Sequence, residues 1–417
     1  MSFDFGASRL RSGRTAINVA TPRDPLPQPS AEELAHSQKL SALIREEIAG
    51  SGPMPFSRFM ERCLYAPGLG YYSAGKLKFG EEGDFVTAPG LGALFARCVA
   101  RALAPVLRAC GEAAVFFELG GGSGAFARDC LRQLQALDAL PQHYWSLEPS
   151  ADLRERQLAL LRDALAPELF MRIQWLDRPP QQAWSGVLFA NEVLDALPVT
   201  RFAIADDGIF EEHIVLDAQE DFARIDRPAD ALVAGAVRHL QRQLGAFADG
   251  YRSEALPQLP WWVEAITQNM QRGAALFVDY GYPRREFYLP ERSDGTLMCH
   301  YRHRAHVDPL RHPGLQDITA FVDFTALAEA GDACGFERVS YSPQAAFLIA
   351  AGLEAAFAEG YAATNDEAAR YALANQVKRL TLPGEMGERF QSMLFARGLD
   401  AQELFAPLIE IDRSERL

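Results

Sequence analysis

The residues best suited to chemistry lie where a short apolar run, residues 113–119, meets a glycine-rich turn. The turn reads Glu118-Leu119-Gly120-Gly121-Gly122-Ser123-Gly124. Glycines let a backbone approach a ligand closely, because a side chain would occupy the ligand's volume, and the helix expected after the turn presents free amides. The pattern therefore predicts that Gly120, Gly122 and Gly124 cradle a nucleotide-type cofactor.

Two classes of cofactor fit this turn. Its spacing satisfies the dinucleotide pattern Gly-x-Gly-x-x-Ala, and Glu148 lies near the distance at which the ribose of either cofactor is bound. Glu118 favours S-adenosylmethionine, because a carboxylate here can bind the ammonium group of a methionine moiety, which nicotinamide cofactors lack. Asp177, which ends the next strand, is suited to accept a hydrogen bond from the adenine amino group. A tight loop that holds no ligand is the structural alternative.

Four further apolar runs end, like the first, in an acid or an amide. They are residues 144–147 before Glu148, 173–176 before Asp177, 186–190 before Asn191-Glu192, and 274–278 before Asp279. Strands separated by helices predict an α/β fold, with a mostly parallel sheet covered by helices on both faces. Ligands bind beyond the carboxyl ends of such strands, so five polar endings predict that this edge is the active face. Ordinary turn chemistry explains any one of them alone.

The flanking segments divide the chain into regions. Ser30 and Glu33 form a capping box that predicts a helix, and the amphipathic residues 94–110 predict another before the first strand. The stretch between strands at 199–272 is too long for one crossover helix and predicts a subdomain with a hairpin around Asp206-Asp207-Gly208 and helices from Ala229 and Trp261. The resulting division is a disordered arm (1–29), N-terminal helices and a glycine-rich loop (30–110), a first part of the core (111–200), an inserted subdomain (201–272), a second part of the core with a lid segment (273–345) and a C-terminal helical region (346–417).

Composition narrows the class of protein. The 417 residues are 48% hydrophobic, enough for a sizeable core, and 41 Lys and Arg against 55 Asp and Glu give a net charge of −14. This charge disfavours nucleic acid and anionic membranes as partners and suits a basic protein substrate, although it also simply favours solubility. No stretch approaches the roughly 20 apolar residues of a membrane span. Six cysteines without a Cys-x-x-Cys pair indicate reduced thiols and predict a cytoplasmic protein. Arginines in the N-terminal arm leave an organellar transit peptide as the alternative.

Several motifs, in order from about residue 53 to residue 398, resemble those of the MidA family, also called the DUF185 or COG1565 group. They are Gly70-Tyr71-Tyr72, Gly83-Asp84-Phe85-Val86-Thr87-Ala88-Pro89, the turn at Glu118, Asn191-Glu192-Val193-Leu194-Asp195-Ala196-Leu197-Pro198, Asp279-Tyr280-Gly281 and Asp317-Ile318-Thr319-Ala320-Phe321-Val322-Asp323-Phe324. The family includes a mitochondrial complex I assembly factor that is a protein arginine methyltransferase.

The resemblance implies a class I methyltransferase that uses S-adenosyl-L-methionine. Its Rossmann-like core of seven strands would carry an N-terminal helical extension and an inserted subdomain that covers the substrate. It also implies that Asp84, Thr87 and Pro89 help bind the cofactor, and that the substrate is a protein, with a respiratory complex subunit as one candidate. The sequence departs from the family at Pro89-Gly90-Leu91-Gly92, where Pro-Glu-Ile-Ser is usual, and at Gly121 and Ser123, which replace Pro and Arg.

The residues best suited to bind the methyl acceptor follow the fourth apolar run, residues 186–190. Methyl transfer is an in-line displacement at a sulfonium methyl, so holding the nucleophile in position outweighs acid-base work. An arginine guanidinium stays cationic, with a pKa above about 12, and a pair of carboxylates can fix its planar fork. Glu192 and Asp195 are suited to that task, and Asn191 could orient the planar cation. The structural alternative is a helix N-terminus whose acids stabilise the helix dipole.

A histidine-rich segment, His300-Tyr301-Arg302-His303-Arg304-Ala305-His306, raises the question of a metal. Its arginines would repel a cation and no cysteine or carboxylate stands nearby at ligand spacing, so we predict no metal. The hypothesis for the segment is a lid with His303 as proton acceptor; a solvated basic loop is the alternative. Asp317 and Asp323 are interpreted as structural residues that cap local turns, with a place in the pocket lining as the alternative. Two other functions stay open, namely methylation of a different acceptor and a cofactor-binding assembly chaperone.

Overall fold

The computed structural model describes residues 26–74, 87–206 and 208–417. The strands, in chain order, are β1 (Met54–Pro55), β2 (Val115–Leu119), β3 (His143–Leu147), β4 (Ile173–Leu176), β5 (Trp184–Asn191), β6 (Thr200–Ala205), β7 (Gly208–Leu216), β8 (Phe222–Pro228), β9 (Arg252–Ala255), β10 (Met270–Tyr282), β11 (Met298–Tyr301), β12 (Arg304–His306), β13 (Asp317–Thr319), β14 (Val322–Asp323), β15 (Glu337–Pro343) and β16 (Phe390–Arg397).

The helices alternate with these strands over most of the chain. They are α1 (Ala31–Ser51), α2 (Phe56–Tyr65), α3 (Ala88–Leu91), α4 (Ala93–Cys110), α5 (Ala125–Ala136), α6 (Ala151–Ala164), α7 (Pro167–Phe170), α8 (Ala231–Leu244), α9 (Leu259–Thr267), α10 (Arg284–Phe287), α11 (Phe324–Ala333), α12 (Gln344–Ala350), α13 (Leu353–Ala362), α14 (Glu367–Thr381) and α15 (Ala401–Ile409).

The central sheet has the strand order β4-β3-β2-β5-β10-β16-β15. From β4 to β10 every pairing is parallel, whereas β16 runs antiparallel to both of its neighbours. The two-residue β14 extends the sheet at the far end of β10. The predicted α/β core with a seven-stranded, mostly parallel sheet is therefore confirmed, whereas one of its strands, β16, was not predicted. β16 lies inside the region expected to be entirely helical, because polar Gln391 and Ser392 interrupt its apolar pattern.

Burial on both faces explains why the central strands read as continuous apolar runs. Successive side chains of a strand point to opposite faces. Phe116 of β2 faces the layer of α4 and α5, with its ring centroid 6.1 Å from that of Phe126. Phe117 faces the layer of α9 and α11, and its ring meets that of Trp184 edge-on at 5.8 Å. The sheet thus holds the carboxyl ends of β2, β3 and β5 rigidly side by side.

The N-terminal extension begins at the predicted capping box. The Glu33 amide donates to Ser30 Oγ at 3.2 Å, the Ser30 amide donates to Glu33 Oε2 at 2.7 Å, and α1 ends at Ser51. β1 then pairs antiparallel with β7. The extension consequently adds a strand to a second sheet of order β1-β7-β6-β9, with β8 on the other edge of β7.

The inserted region is smaller than the sequence predicted. The hairpin is present as β6 and β7, and α8 begins after its N-cap, Asp230. Helix α9, however, packs Leu259, Val263 and Ile266 into the same apolar cluster as the central strands. This helix therefore belongs to the core, because its apolar face is buried by the sheet and not by the insertion.

A third, small sheet of order β12-β11-β13 follows the central strand β10. In the described ranges, no single helix is long and apolar enough to cross a membrane. One bent pair of helices, α12 with α13, is long and apolar enough when the two are taken together.

Candidate active site

A cavity of about 460 Å³ opens at the carboxyl ends of β2, β3 and β5. Its wall includes the turn after β2, the Glu148 segment after β3 and the turn after β5. The N-terminal extension supplies Tyr65, Pro67, Gly68 and residues 71–73, while α9 supplies Trp262 and Ile266. The active edge that the strand endings predicted therefore carries a closed-in site.

The glycine turn forms one end of this cavity. Gly120, Gly122 and Gly124 have φ angles of +63°, +53° and +83°, a region that favours glycine. A Cβ on Gly120 would lie 2.9 Å from Val193 Cγ2, and a Cβ on Gly121 would lie 3.0 Å from Glu118 Oε2. Gly120 and Gly122 line the cavity, whereas Gly124 lies behind it as the N-cap of α5. Any side chain here would narrow the cradle.

Glu118 lies in the cavity wall with almost no exposure to solvent. Tyr144 Oη donates to its Oε2 atom at 2.9 Å. Burial raises the pKa of Glu118 to about 8, and the nearby Glu148 adds to the rise, while the Tyr144 hydroxyl opposes it. A cationic group bound beside this carboxyl would restore its ionised form.

Glu148 follows β3 and also faces the cavity. Its Oε2 accepts from the Gly122 amide at 3.3 Å and its Oε1 accepts from the Ser150 amide at 3.0 Å. These two bonds hold the carboxylate against the glycine turn. Asp177, after β4, is not part of the wall: its side chain is 89% exposed and pairs with Arg154 at 2.5 Å.

The turn after β5 forms the opposite end of the cavity. Asn191, Glu192 and Asp195 all line it, as predicted for a substrate-binding group. Asn191 Nδ2 donates to Glu192 Oε1 at 2.9 Å, and the Ala88 amide at the start of α3 also donates to the Glu192 carboxylate. Glu192 has a φ of +54°, which few residues other than glycine adopt. The helix-terminus alternative is wrong, because residues 192–198 form a turn and not a helix.

Asp279, at the end of the neighbouring strand β10, supports this turn from behind. Its Oδ2 accepts from the amides of Val193, Leu194 and Asp195 at 3.2, 3.0 and 3.3 Å. The next residue, Tyr280, donates its hydroxyl to the Asp195 carboxylate. The two acids that face the cavity are therefore fixed both by their own turn and by β10.

The crowded, buried acids of this site have raised pKa values. Burial raises the pKa of Glu192 to about 8, and repulsion from Asp195 contributes to that rise. Burial likewise raises the pKa of Asp195 to about 6, although the Tyr280 hydroxyl opposes it. A cation bound beside Glu192 would favour its ionised form.

Two wall residues, Tyr65 and Tyr72, were not predicted, and a third was placed by its alternative interpretation. Asp317 of β13, for which a place in the pocket lining was the alternative to a structural role, is buried in the wall and accepts from Tyr72 Oη at 2.9 Å. Tyr65 donates to the Ala196 carbonyl at 2.9 Å and stacks on Tyr72 with ring centroids 5.6 Å apart. The Gly70-Tyr71-Tyr72 motif was the available signal for Tyr72, whereas nothing in the sequence singled out Tyr65.

The charge of the wall is one-sided. Five of its described residues are acids: Glu118, Glu148, Glu192, Asp195 and Asp317. Of the wall residues within the described ranges, none is lysine, arginine or histidine. A low-dielectric cavity with this charge selects cations or groups that carry developing positive charge.

Comparison with known proteins identifies the family. A profile described as an S-adenosyl-L-methionine-dependent methyltransferase matches residues 98–342. The chain belongs to this family of methyltransferases. A crystal structure of a COG1565 superfamily member from Burkholderia thailandensis, bound to S-adenosyl-homocysteine, is 42% identical in sequence. The match covers 94% of this chain and 100% of that one, with a TM-score of 0.87.

Curated relatives extend over similar lengths. The protein arginine methyltransferase NDUFAF7 homolog, mitochondrial, of Drosophila melanogaster is 27% identical over 95% of this chain and 93% of its own length. The bovine protein arginine methyltransferase NDUFAF7, mitochondrial, is 28% identical over 87% and 85%. The predicted resemblance is therefore confirmed. Membership also decides between the two cofactor classes, and the dinucleotide interpretation is wrong.

The cavity fits the cofactor of this methyltransferase family. Gly120 and Gly122 keep the cradle free of side chains, and Glu118 and Glu148 line its wall as hydrogen-bond acceptors for ammonium and hydroxyl groups. Thr87 and Pro89 also line it, in agreement with their expected position. We expect these residues to hold S-adenosyl-L-methionine. Asp84, the remaining predicted cofactor residue, lies outside the described residues.

The structure separates two predicted residues from the cavity. Asp177 points into solvent because Arg154, which also donates to the Leu176 carbonyl at 2.7 Å, draws its carboxylate outward. His303 is exposed at the tip of the β11–β12 hairpin, with a φ of +61°. Its neighbour Arg302 pairs with Glu33 of α1 at 2.7 Å, so the hairpin lies against the N-terminal extension.

Within the described residues, the two segments that the sequence predicted to cover the substrate, the lid segment and the inserted subdomain without α9, do not line the cavity. Neither the hairpin at residues 298–306 nor the described part of residues 201–258 contributes to the cavity wall; Tyr65, Pro67, Gly68 and residues 71–73 of the N-terminal extension occupy that side. Asp323 is structural as interpreted, since it caps α11 and pairs with Arg284 at 3.1 Å. Throughout the part of the chain that the structure describes, no group of three or more His, Cys, Asp or Glu could hold a metal ion.

Proposed function

We propose that this methyltransferase transfers a methyl group to a guanidinium nitrogen of an arginine in a protein. The observation that carries the proposal is the acceptor end of the cavity, where Glu192, Asp195 and Asp317 converge on a wall without a described basic residue. A guanidinium is cationic and planar, and its five N–H donors match carboxylate acceptors. Curated relatives named as protein arginine methyltransferases support the same acceptor.

The acceptor-site residues would divide the work between holding the guanidinium and accepting its proton. When bound, S-adenosyl-L-methionine supplies an electrophilic methyl group. Asp195, whose ionised form is favoured by the hydroxyl that Tyr280 donates to it, would hold the guanidinium fork. Glu192, whose raised pKa of about 8 lies near neutral pH, would accept the proton that the methylated nitrogen sheds. Asn191 fixes the Glu192 carboxylate by donating to it.

The partner and location are further parts of the proposal. The net charge of −14 supports a basic substrate protein. The family resemblance alone supports a subunit of a respiratory complex. Free thiols at all six cysteines support a reducing compartment, for which we propose the cytoplasm. Cell fractionation that recovers the protein in another compartment would refute this location.

Labelling of a native proteome tests the acceptor. Purified protein is incubated with methyl-labelled S-adenosyl-L-methionine and an extract from a strain that lacks the gene, and labelled peptides are sequenced by mass spectrometry. We expect methylarginine with the wild type and none with Glu192→Gln, which should still bind the cofactor in calorimetry. Label on lysine or on a small molecule would establish a different acceptor. Cofactor binding without any label would favour an assembly chaperone.

A further inference from the structure

The turn that carries Glu192 and Asp195 depends on a side chain that does not reach the cavity. The Glu192 amide continues the β5–β10 ladder by donating to the Val278 carbonyl at 3.0 Å. The backbone then enters the left-handed region at Glu192, at a φ of +54°. Left-handed backbone is unfavourable for a residue other than glycine, so other contacts must hold it there.

Asp279 provides those contacts. The three amides that follow Glu192 all point at one carboxylate oxygen, Asp279 Oδ2, while Asp279 Oδ1 accepts from the Tyr280 amide at 2.9 Å. Consecutive amides that converge in this way form an anion-binding concavity. Asp279 is fully buried and is absent from the cavity wall, so it does not contact the acceptor and acts on it through the turn and through its charge beside Glu192 and Asp195.

Tyr280 provides a second connection from the same strand. Its hydroxyl donates to Asp195, and its ring packs edge-on against Phe321 and Phe390 with centroids 5.2 and 5.4 Å away. Tyr280 too is absent from the wall. The ring contacts fix where the hydroxyl lies, and the hydroxyl in turn fixes the Asp195 carboxylate.

We propose that Asp279 and Tyr280 are the positioning residues of the acceptor site, Asp279 by holding the Glu192–Asp195 turn and Tyr280 by holding the Asp195 carboxylate. The inference rests on the proposed function, because the acceptor is what these acids would position. Displacing a reacting group by about 1 Å can cost about 10²-fold in rate. A role confined to folding would instead lower stability and affect cofactor and acceptor equally.

The test compares Asp279→Asn and Tyr280→Phe with Asp323→Asn, a control that removes a largely buried carboxylate which caps α11 outside the cavity wall. For each variant we would measure kcat and KM for arginine labelling, cofactor affinity by calorimetry, and hydrogen exchange at the amides of Val193, Leu194 and Asp195. We expect Asp279→Asn to lower kcat about 10²-fold, keep cofactor affinity within about threefold and speed exchange at the three amides. Tyr280→Phe should lower kcat about tenfold or more without changing that exchange.

Several results would overturn the inference. One is that Asp279→Asn keeps a kcat within threefold of the wild-type value although its three amides exchange faster. Another is equal loss of cofactor affinity and kcat in all three variants, which would mean a folding role. If Asp279→Asn does not fold, Tyr280→Phe decides, because it removes a single hydroxyl and a kcat unchanged in it refutes the proposal. Failure of the proposed function would give a different result. The wild-type protein would then label no arginine, although Asp279→Asn would still speed hydrogen exchange at the three amides.

Discussion

The pH dependence of methylation gives the sharpest test of Glu192. With a pKa of about 8, its carboxyl is ionised in about half of the molecules at pH 8. By the same titration the ionised share falls to about one tenth at pH 7 and about one hundredth at pH 6. Because kcat/KM reports the enzyme before the peptide binds, its value for an arginine peptide identified by labelling should fall from pH 8 to pH 6, by as much as about 50-fold when the bound sulfonium leaves the pKa of Glu192 unchanged.

Glu192→Gln should remove this dependence. The variant loses a charge-assisted bond to the guanidinium, about 1.5–3 kcal/mol, and a proton acceptor that contributes about 10²-fold or more. We therefore expect kcat/KM to drop at least about 100-fold and to stay flat between pH 6.5 and pH 8.5. S-adenosyl-L-methionine is kept saturating at each pH, so that the titration of Glu118, which affects cofactor binding, does not change the measured kcat/KM. Glu168→Gln, which changes an exposed glutamate of α7, is the matched control and should behave as the wild type.

Stability supplies an independent check on the same variant. Because the folded-state pKa of Glu192 is raised, the unfolded chain ionises this group first as pH rises above its ordinary value of 4.5, and the folded state loses stability up to about pH 8. Glu192→Gln lacks that cost, so its unfolding midpoint at pH 8 should be at least that of the wild type. An alkaline-rising kcat/KM that persists in Glu192→Gln would refute the assignment of Glu192 as the titrating group.

Three other predictions concern the cofactor end. Because the pKa of Glu118 is raised to about 8, affinity for S-adenosyl-L-methionine should rise with pH up to about 8 in calorimetry, and Glu118→Gln should weaken binding and abolish the rise. Gly120→Ala places a Cβ 2.9 Å from Val193 Cγ2 at a φ of +63°. We expect the free energy of unfolding in urea to fall by about 1–2 kcal/mol and cofactor binding to weaken at least tenfold. Unchanged binding would mean that the cofactor cradle lies elsewhere. Asp177→Asn should alter affinity less than about threefold, since its ion pair is exposed; a loss of tenfold or more would restore Asp177 as an adenine ligand.

Local sequence determined much of the architecture, because the signals were short-range. The Ser30 and Glu33 box is one helical turn long, and the apolar runs that form β2 and β5 need both faces buried wherever they stand. Glycines in a strand-to-helix turn can likewise be recognised without knowing their neighbours. β16 escaped because its strand character comes from burial between β10 and β15 and not from its own pattern.

The candidate site shows where sequence reasoning stopped. Each strand end supplied a polar residue, and for Glu118, Glu148 and Glu192 the strand direction sufficed to place the side chain at the cavity. Only tertiary contacts decided that Arg154 draws Asp177 outward. They also brought Tyr72 to Asp317, a hydrogen bond between residues 245 positions apart in the chain.

The sequence by itself thus determined the sheet, its active edge and most of the residues on it, because strand direction and side-chain alternation are local properties. Tertiary structure decided which acids share a space, what holds them and how they titrate. Asp279 illustrates the difference: its strand-end position was readable, but its three amide partners lie more than 80 positions away. The burial that raises the pKa of Glu192 exists only after the sheet, the N-terminal extension and β13 have closed around the cavity.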